Sequence, residues 1–486
     1  MFRKKPFIVF LILCSTFLLI RCASPDNPKQ KQKTTDKQPQ LESPTLDKPV
    51  VDSLPESQEE VLDDALENKL EQKNDLLHET ADFCWYLPAG IAADEKIPVV
   101  FIFDPHAKAR QALSKYQSLA DEFKFALIAS KKSKNQQTLQ EGIEYYREMH
   151  SALGKEIPVK AASIYTMGFS GGARVAVSVA IEQPEVEAVI GCGAGFPALQ
   201  QLPDSKFYYF AIAGYEDFNL GELINNNRLL SRSGFDNELV IFDGGHEWPA
   251  QDVMREAFMA VALNAMKNKK VENDKHHIQK AIGFYDSTMD GFAAKSRYFD
   301  AVETAERAAS ILDGLADVAT FKAQAAEYKK KPTYKKDLTA MVKSLEEESG
   351  LQNQYLQDFD TKDADWWKNE ITRLGGKGED VFQTRLLRRI HAYLGLAAYS
   401  LSHRAIAADD MLRAQRYIDI YWMLEPDNPE TAYLNAIVMM HDGDAAAAKA
   451  YIMQAAMLGF DDAPRFATET AFDSLENRAQ LLEMFR

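Results

Sequence analysis

Basic charge is what this chain is short of. Its 486 residues carry 56 Lys and Arg against 72 Asp and Glu, a formal net charge of −16 at pH 7. Nucleic acid as a partner calls for the opposite sign, so that class of function is excluded. Cysteine is scarce too: of four, only Cys84 and Cys192 fall where the pattern is that of a folded domain, each inside a strand-like run. That rules out a disulfide framework, while a single bridge between the two stays open. There is no C-x-x-C pair, no H-E-x-x-H and no oxygen-rich calcium loop, so neither a metal nor a cofactor is expected. The apolar run at residues 6–20 is short for a bilayer span and has instead the length of a signal-peptide core. From there to Phe83 no aromatic residue occurs after Phe17, which removes any prospect of a packed core in that stretch.

What is present begins with Arg3, Lys4 and Lys5 ahead of the apolar run, which together make residues 1–21 an export signal. Loss of that segment, with its four basic residues and no acidic one, takes the net charge from −16 to about −20. The segment Leu18-Leu19-Ile20-Arg21-Cys22 resembles the lipobox of bacterial lipoproteins, which implies lipidation at Cys22 and attachment to a membrane. Arg21 stands where that motif has a small residue, so secretion after simple cleavage, or retention as an anchor, are the alternatives. Residues 22–76, rich in Lys, Gln, Pro, Asp and Glu, cannot bury enough apolar surface to offset chain entropy and are expected to form a disordered tether, helical near its end.

The remaining length exceeds what one core usually covers, which predicts two folded parts. Over residues 77–271, apolar strand-like runs at 83–87, 97–103, 125–130, 164–167, 186–192, 207–213 and 238–242 alternate with amphipathic stretches at 111–123, 138–153, 171–182, 222–233 and 250–266. Such alternation predicts a mostly parallel sheet with helices on both faces and a site at the carboxyl ends of its strands.

Gly168-Phe169-Ser170-Gly171-Gly172 lies where one of these runs meets the helix after it. A serine hydroxyl is a weak nucleophile unless a sharp turn presents it to a base, and small flanking residues permit that turn. Two further strand-end loops carry chemistry: Gly214-Tyr215-Glu216-Asp217 and Asp243-Gly244-Gly245-His246-Glu247-Trp248-Pro249. Serine, acid and histidine in this order, each after its own strand, resemble the α/β-hydrolase fold, more closely its compact esterase and dienelactone-hydrolase-like members. The resemblance implies a catalytic triad of Ser170, Asp217 and His246, with Glu216 the nearest rival for the acid. It also implies an oxyanion hole from the Gly171 amide and from the loop after an earlier strand, at His106 and Ala107. Ala107 stands where that loop commonly has glycine. The implied activity is hydrolysis of carboxylic esters through an acyl-enzyme, on a small ester or acyl substrate. A serine peptidase, or a catalytically silent domain whose helical part carries a binding function, are the rivals.

Residues 272–486 turn helical in pattern. Ala414, Ile418 and Pro426 recur as Ala448, Ile452 and Phe460, an offset that resembles the tetratricopeptide period. This all-α part is read as a tetratricopeptide-like helical-repeat domain, which implies a protein or peptide partner on the repeats. An earlier helical pair is expected at 277–312, irregular helices at 334–374, and Trp366 and Trp367 are candidate anchors for that partner. Because every catalytic candidate lies before residue 271, the first part is expected to act alone.

Overall fold

A computed structural model of the chain describes residues 77–135, 137–197 and 206–485. The expected export signal, Cys22 and the expected tether lie outside the described residues, as do residues 136, 198–205 and 486.

Eight strands form one sheet: β1 (Leu77–Glu79), β2 (Phe83–Tyr86), β3 (Glu95–Phe103), β4 (Ala126–Ser130), β5 (Val159–Phe169), β6 (Val186–Cys192), β7 (Tyr208–Gly214) and β8 (Asn237–Phe242). Their spatial order is β1-β2-β4-β3-β5-β6-β7-β8. From β4 to β8 every pairing is parallel, while β1 and β2 join antiparallel at one edge. A parallel sheet covered on both faces leaves its strands nothing polar to face, and β4 and β7 are buried at every position. Strand β5 starts at Val159, earlier than its apolar run suggests, because Val159, Lys160 and Ala161 pair with Glu95, Lys96 and Ile97 ahead of a register shift. Cys84 and Cys192 are free and buried in β2 and β6, and burial pushes the Cys84 thiol up to about 12.

Helices cover both faces. On one side α1 (Ala109–Phe123) and α5 (Gln251–Lys267) pack with Ile102, Met167, Ile190 and Phe210. On the other, α2 (Leu139–Ser151), α3 (Gly171–Glu182) and α4 (Leu220–Arg232) pack with Phe101, Val189 and Tyr209. Helix α2 begins at a capping box, in which the Thr138 side chain accepts from the Glu141 amide and the Glu141 carboxylate accepts from the Thr138 amide.

After α5 the described residues are helical: α6 (Lys275–Ala294), α7 (Tyr298–Leu312), α8 (Ala319–Tyr328), α9 (Pro332–Thr361), α10 (Ala364–Leu374), α11 (Val381–Ala407), α12 (Met411–Leu424), α13 (Pro429–His441), α14 (Ala445–Met457), α15 (Ala463–Thr468) and α16 (Arg478–Leu482). Where irregular helices were expected at 334–374, α9 is a single helix of 30 residues. Its buried side chains, Met341, Ser344, Glu348, Tyr355, Asp358 and Phe359, are too few and too polar to reveal its length as a pattern.

The apolar core does not stop where the strands do. Ile278, Tyr285 and Met289 of α6, with Ala305 and Leu312 of α7, belong to the cluster on one face of the sheet. Phe299, Met341 and Phe382, from α7, α9 and α11, belong to the cluster on the other. A buried ion pair crosses as well: Arg307 of α7 donates to Glu256 of α5 at 2.5 Å, both nearly inaccessible to solvent. A separate core begins only at Tyr355 and runs to Phe485. Trp367, a candidate partner anchor on sequence grounds, is wholly buried in that core, and fills it instead of facing outward.

Candidate active site

The apolar run of β5 ends at Phe169, and α3 starts at Gly171. Ser170 between them is held at φ 52°, ψ −122°, a conformation that costs a residue with a Cβ about 1–3 kcal/mol and persists only where its surroundings enforce it. Two glycines are part of that enforcement. A Cβ on Gly168 would collide with the Gly172 carbonyl, and one on Gly172 with the Phe103 carbonyl. The turn is thereby pressed against β3, while the Ser170 amide donates to the Cys192 carbonyl at 2.8 Å.

At the end of β7 the chain turns through Tyr215 and Glu216 to Asp217, and after β8 it loops to His246. Their backbones continue the β7–β8 pairing past the strands: the Tyr215 amide donates to the Phe242 carbonyl at 2.8 Å and the Glu216 amide to Gly244 at 2.9 Å. The two loops are thus one unit. His246 Nδ1 lies 3.0 Å from Asp217 Oδ1, and Nε2 lies 2.9 Å from Ser170 Oγ. Asp217 is buried, with 1% of its surface exposed, and can only accept, which assigns the proton to Nδ1 and leaves Nε2 free to accept from the serine hydroxyl. The Asn219 amide donates to the same Oδ1 at 2.8 Å, and the Asn219 side chain donates to the Gly193 carbonyl at 2.7 Å. Phe218 and Phe169 flank the imidazole at ring-centre distances of 4.2 and 4.7 Å.

Ser170, Asp217 and His246, anticipated from sequence, are therefore brought together in hydrogen-bonding register. Glu216 points elsewhere and bonds Arg388 of α11 at 2.6 Å. Asp243 pairs with Arg297 and Arg385.

The oxyanion loop differs from expectation. Ala107 takes φ 60°, and its amide donates to the Ser133 carbonyl at 2.9 Å; the His106 amide donates to Asp104 Oδ1 at 2.8 Å. Both amides are engaged within the protein, so neither His106 nor Ala107 offers the free donor that the resemblance implied. For His106 the cause is Asp104, a buried carboxylate that gathers the His106 and Lys108 amides on one oxygen and the Trp248 indole on the other, at 2.8 Å. Gly171 is different: as the first residue of α3 its amide has no carbonyl partner within the helix.

Sequence reasoning missed Asn135. Its amide donates to the Pro105 carbonyl at 2.8 Å, and its carboxamide abuts Gly171 so closely that a Cβ there would collide with Oδ1. A cavity of about 150 Å³ opens beside it, lined among others by Lys134, Asn135, Gln137, Gly171 and Arg174. No motif marked Asn135; only the folded contact between the β4–α2 loop and the elbow does.

No family model matches the chain, and no curated protein is similar enough to match it. Solved structures that it resembles include the s-formylglutathione hydrolase of Staphylococcus aureus, 13% identical over 38% of this chain and 94% of that one, TM-score 0.31. Est1E of Butyrivibrio proteoclasticus is 14% identical over 37% and 94%, TM-score 0.28. The acylaminoacyl peptidase of Pyrococcus horikoshii is 13% identical over 43% of this chain and 44% of that one, TM-score 0.32.

Proposed function

We propose that this protein is a serine hydrolase that cleaves carboxylic esters, with Ser170 as nucleophile, His246 as general base and acid, and Asp217 orienting the imidazole. The observation that carries the reading is the unbroken chain of hydrogen bonds from Asp217 through His246 to Ser170, at 3.0 and 2.9 Å, at a strained elbow. In the acylation step Ser170 Oγ bonds to the ester carbon as His246 Nε2 takes its proton. The carbon–oxygen bond to the alcohol then breaks, and the departing oxygen receives that proton. Water, deprotonated by the same nitrogen, attacks the acyl-enzyme and restores the serine. Asp217 stabilises the imidazolium throughout and does not itself take the proton.

The transient oxyanion needs donors fixed in advance. The Gly171 amide is one. Asn135 supplies the other: turning its carboxamide over, a change that leaves its shape unaltered, puts Nδ2 where Oδ1 now meets Gly171.

The sequence Leu18-Leu19-Ile20-Arg21-Cys22 supports export and lipid attachment at Cys22. The helical hairpins support the tetratricopeptide-like reading, since Ala414 and Ile418 of α12 and Ala448 and Ile452 of α14 are all fully buried at equivalent positions; a peptide or protein is the partner that such a surface suits.

Turnover of a short-chain aryl ester, compared with a peptide anilide of matched side chain, tests the activity. Ester hydrolysis that vanishes in Ser170→Ala is expected; preferential cleavage of the anilide would make the protein a peptidase. Incorporation of a fatty-acid analogue into the wild type and not into Cys22→Ser tests the anchor, and an unlabelled soluble protein would contradict it.

A further inference from the structure

Three arginines on one face of α11 reach into the catalytic loops. Arg389 is wholly buried; its Nη1 donates to the Tyr215 carbonyl at 2.8 Å and its Nε to Glu348 of α9 at 2.8 Å, while Nη2 is buried without a partner. One turn earlier, the Arg385 guanidinium lies 3.6 Å from the centre of the Tyr215 ring and pairs with Asp243 at the start of the histidine loop. Arg388 holds Glu216 at 2.6 Å. Asp300 of α7 accepts the Tyr215 hydroxyl at 2.8 Å, and Arg297, just before α7, pairs with Asp243. Tyr215 and Glu216, which lead into Asp217, and Asp243, three residues before His246, are thus each gripped by the helical region. Burying a guanidinium costs several kcal/mol before its partners compensate, and an apolar side chain could have filled the same space. What the arginine adds is direction: a charged donor fixed on the backbone of the acid turn, two residues from the catalytic carboxylate. Burial raises the Glu348 carboxyl against the pull of Arg389, and the charge of Asp217 raises it further.

We infer that Arg389, braced by Glu348 and assisted by Arg385, is a positioning residue that sets the acid turn so that Asp217 meets His246. The helical region is in this sense part of the catalytic apparatus. The inference rests on the serine-hydrolase reading.

The test measures kcat and KM on a small aryl ester, and the rate of fluorophosphonate labelling, for wild type, Arg389→Met, Arg389→Lys and the double variant Arg389→Met/Glu348→Leu. The double variant removes both charges together and so avoids a stranded buried carboxylate; circular dichroism and Tm establish that it is folded. A misplacement of about 1 Å costs on the order of 10²-fold in rate, so kcat and the labelling rate are expected to fall together by about 10–100-fold, with KM within twofold. Arg389→Lys, which keeps a charged donor, should recover part of the loss. A folded double variant with wild-type kcat would overturn the inference, as would a rise in KM alone, which would mean a binding role. Wild-type protein that neither turns over ester nor labels would instead overturn the serine-hydrolase reading, and the inference with it.

Discussion

Two parts of one carboxyl edge of the sheet meet in Ser170, Asp217 and His246, and they are held by different means. The elbow at the end of β5 is fixed from within: Gly168 and Gly172 let backbone meet backbone, and the strain at Ser170 is contained by β3, β6 and α3. The acid turn and histidine loop, at the ends of β7 and β8, are fixed from outside, by Arg297 just before α7 and by Arg385, Arg388 and Arg389 of α11. A nucleophile can be presented by a local motif because its geometry is a matter of a few dihedral angles. Carboxylate and imidazole come from separate loops, which the continued β7–β8 pairing joins into one unit, and here long-range contacts brace that unit.

If that contrast is right, removing the helical region should do most damage. A protein ending at Lys270 would expose the surfaces against which Ile278, Tyr285, Met289, Phe299, Leu312 and Phe382 pack. At about 1.5–3 kcal/mol for each large buried side chain, the loss is comparable to the roughly 5–15 kcal/mol by which a domain is stable. Insoluble or unfolded protein is expected on expression, whatever the state of the triad; a soluble, cooperatively unfolding fragment would break the comparison.

The seam itself can be probed one residue at a time. Arg307→Met leaves Glu256 buried without its cation and is expected to destabilise by about 3–5 kcal/mol, read from urea unfolding, whereas adding Glu256→Leu should return most of it. An unchanged midpoint in the single variant would mean that the two regions are not joined there.

The elbow side is sharpened by Asn135→Ala. Loss of one oxyanion donor typically costs about 10²–10³-fold in kcat, and this variant should show a fall of that order with an unchanged Tm. Wild-type turnover would remove Asn135 from the oxyanion hole.

A smaller effect is expected at Glu238 of β8, which sits beside Ser310 of α7. Burial pushes its carboxyl up to about 7 from an ordinary 4.5, against the hydrogen bond from Ser310 and the charge of Arg307. A carboxyl raised on folding costs nothing while protonated in both states; the cost grows as pH rises through 4.5 and is complete above about 7. Glu238→Gln should therefore raise Tm by about 2–4 °C at pH 8 and leave it unchanged near pH 4. An equal gain at both values would show that the charge is not responsible.

Much of the site was legible in the sequence because its parts are local. Small residues around Ser170 and an acid and a histidine at the ends of apolar runs carry their geometry with them, as do the strand runs of a buried parallel sheet. What could not be read is carried by distance. Asp104 consumes the His106 and Lys108 amides, and nothing in Phe103-Asp104-Pro105-His106-Ala107 distinguishes such a carboxylate from one that faces water. Asn135 meets Gly171 only after two loops have folded together. Arg385, Arg388 and Arg389 look like the charged face of a helix, since a solvated arginine and one aimed at a carbonyl more than a hundred residues away are the same letter.

The most direct test of the central claim is to treat the folded protein with a fluorophosphonate probe and locate the adduct by peptide mass spectrometry. A single adduct on Ser170, lost in His246→Ala while circular dichroism stays unchanged, is the predicted result. Labelling at wild-type rate in His246→Ala, or an adduct on another serine with Ser170 unmodified, would contradict the assignment of these residues as nucleophile and base.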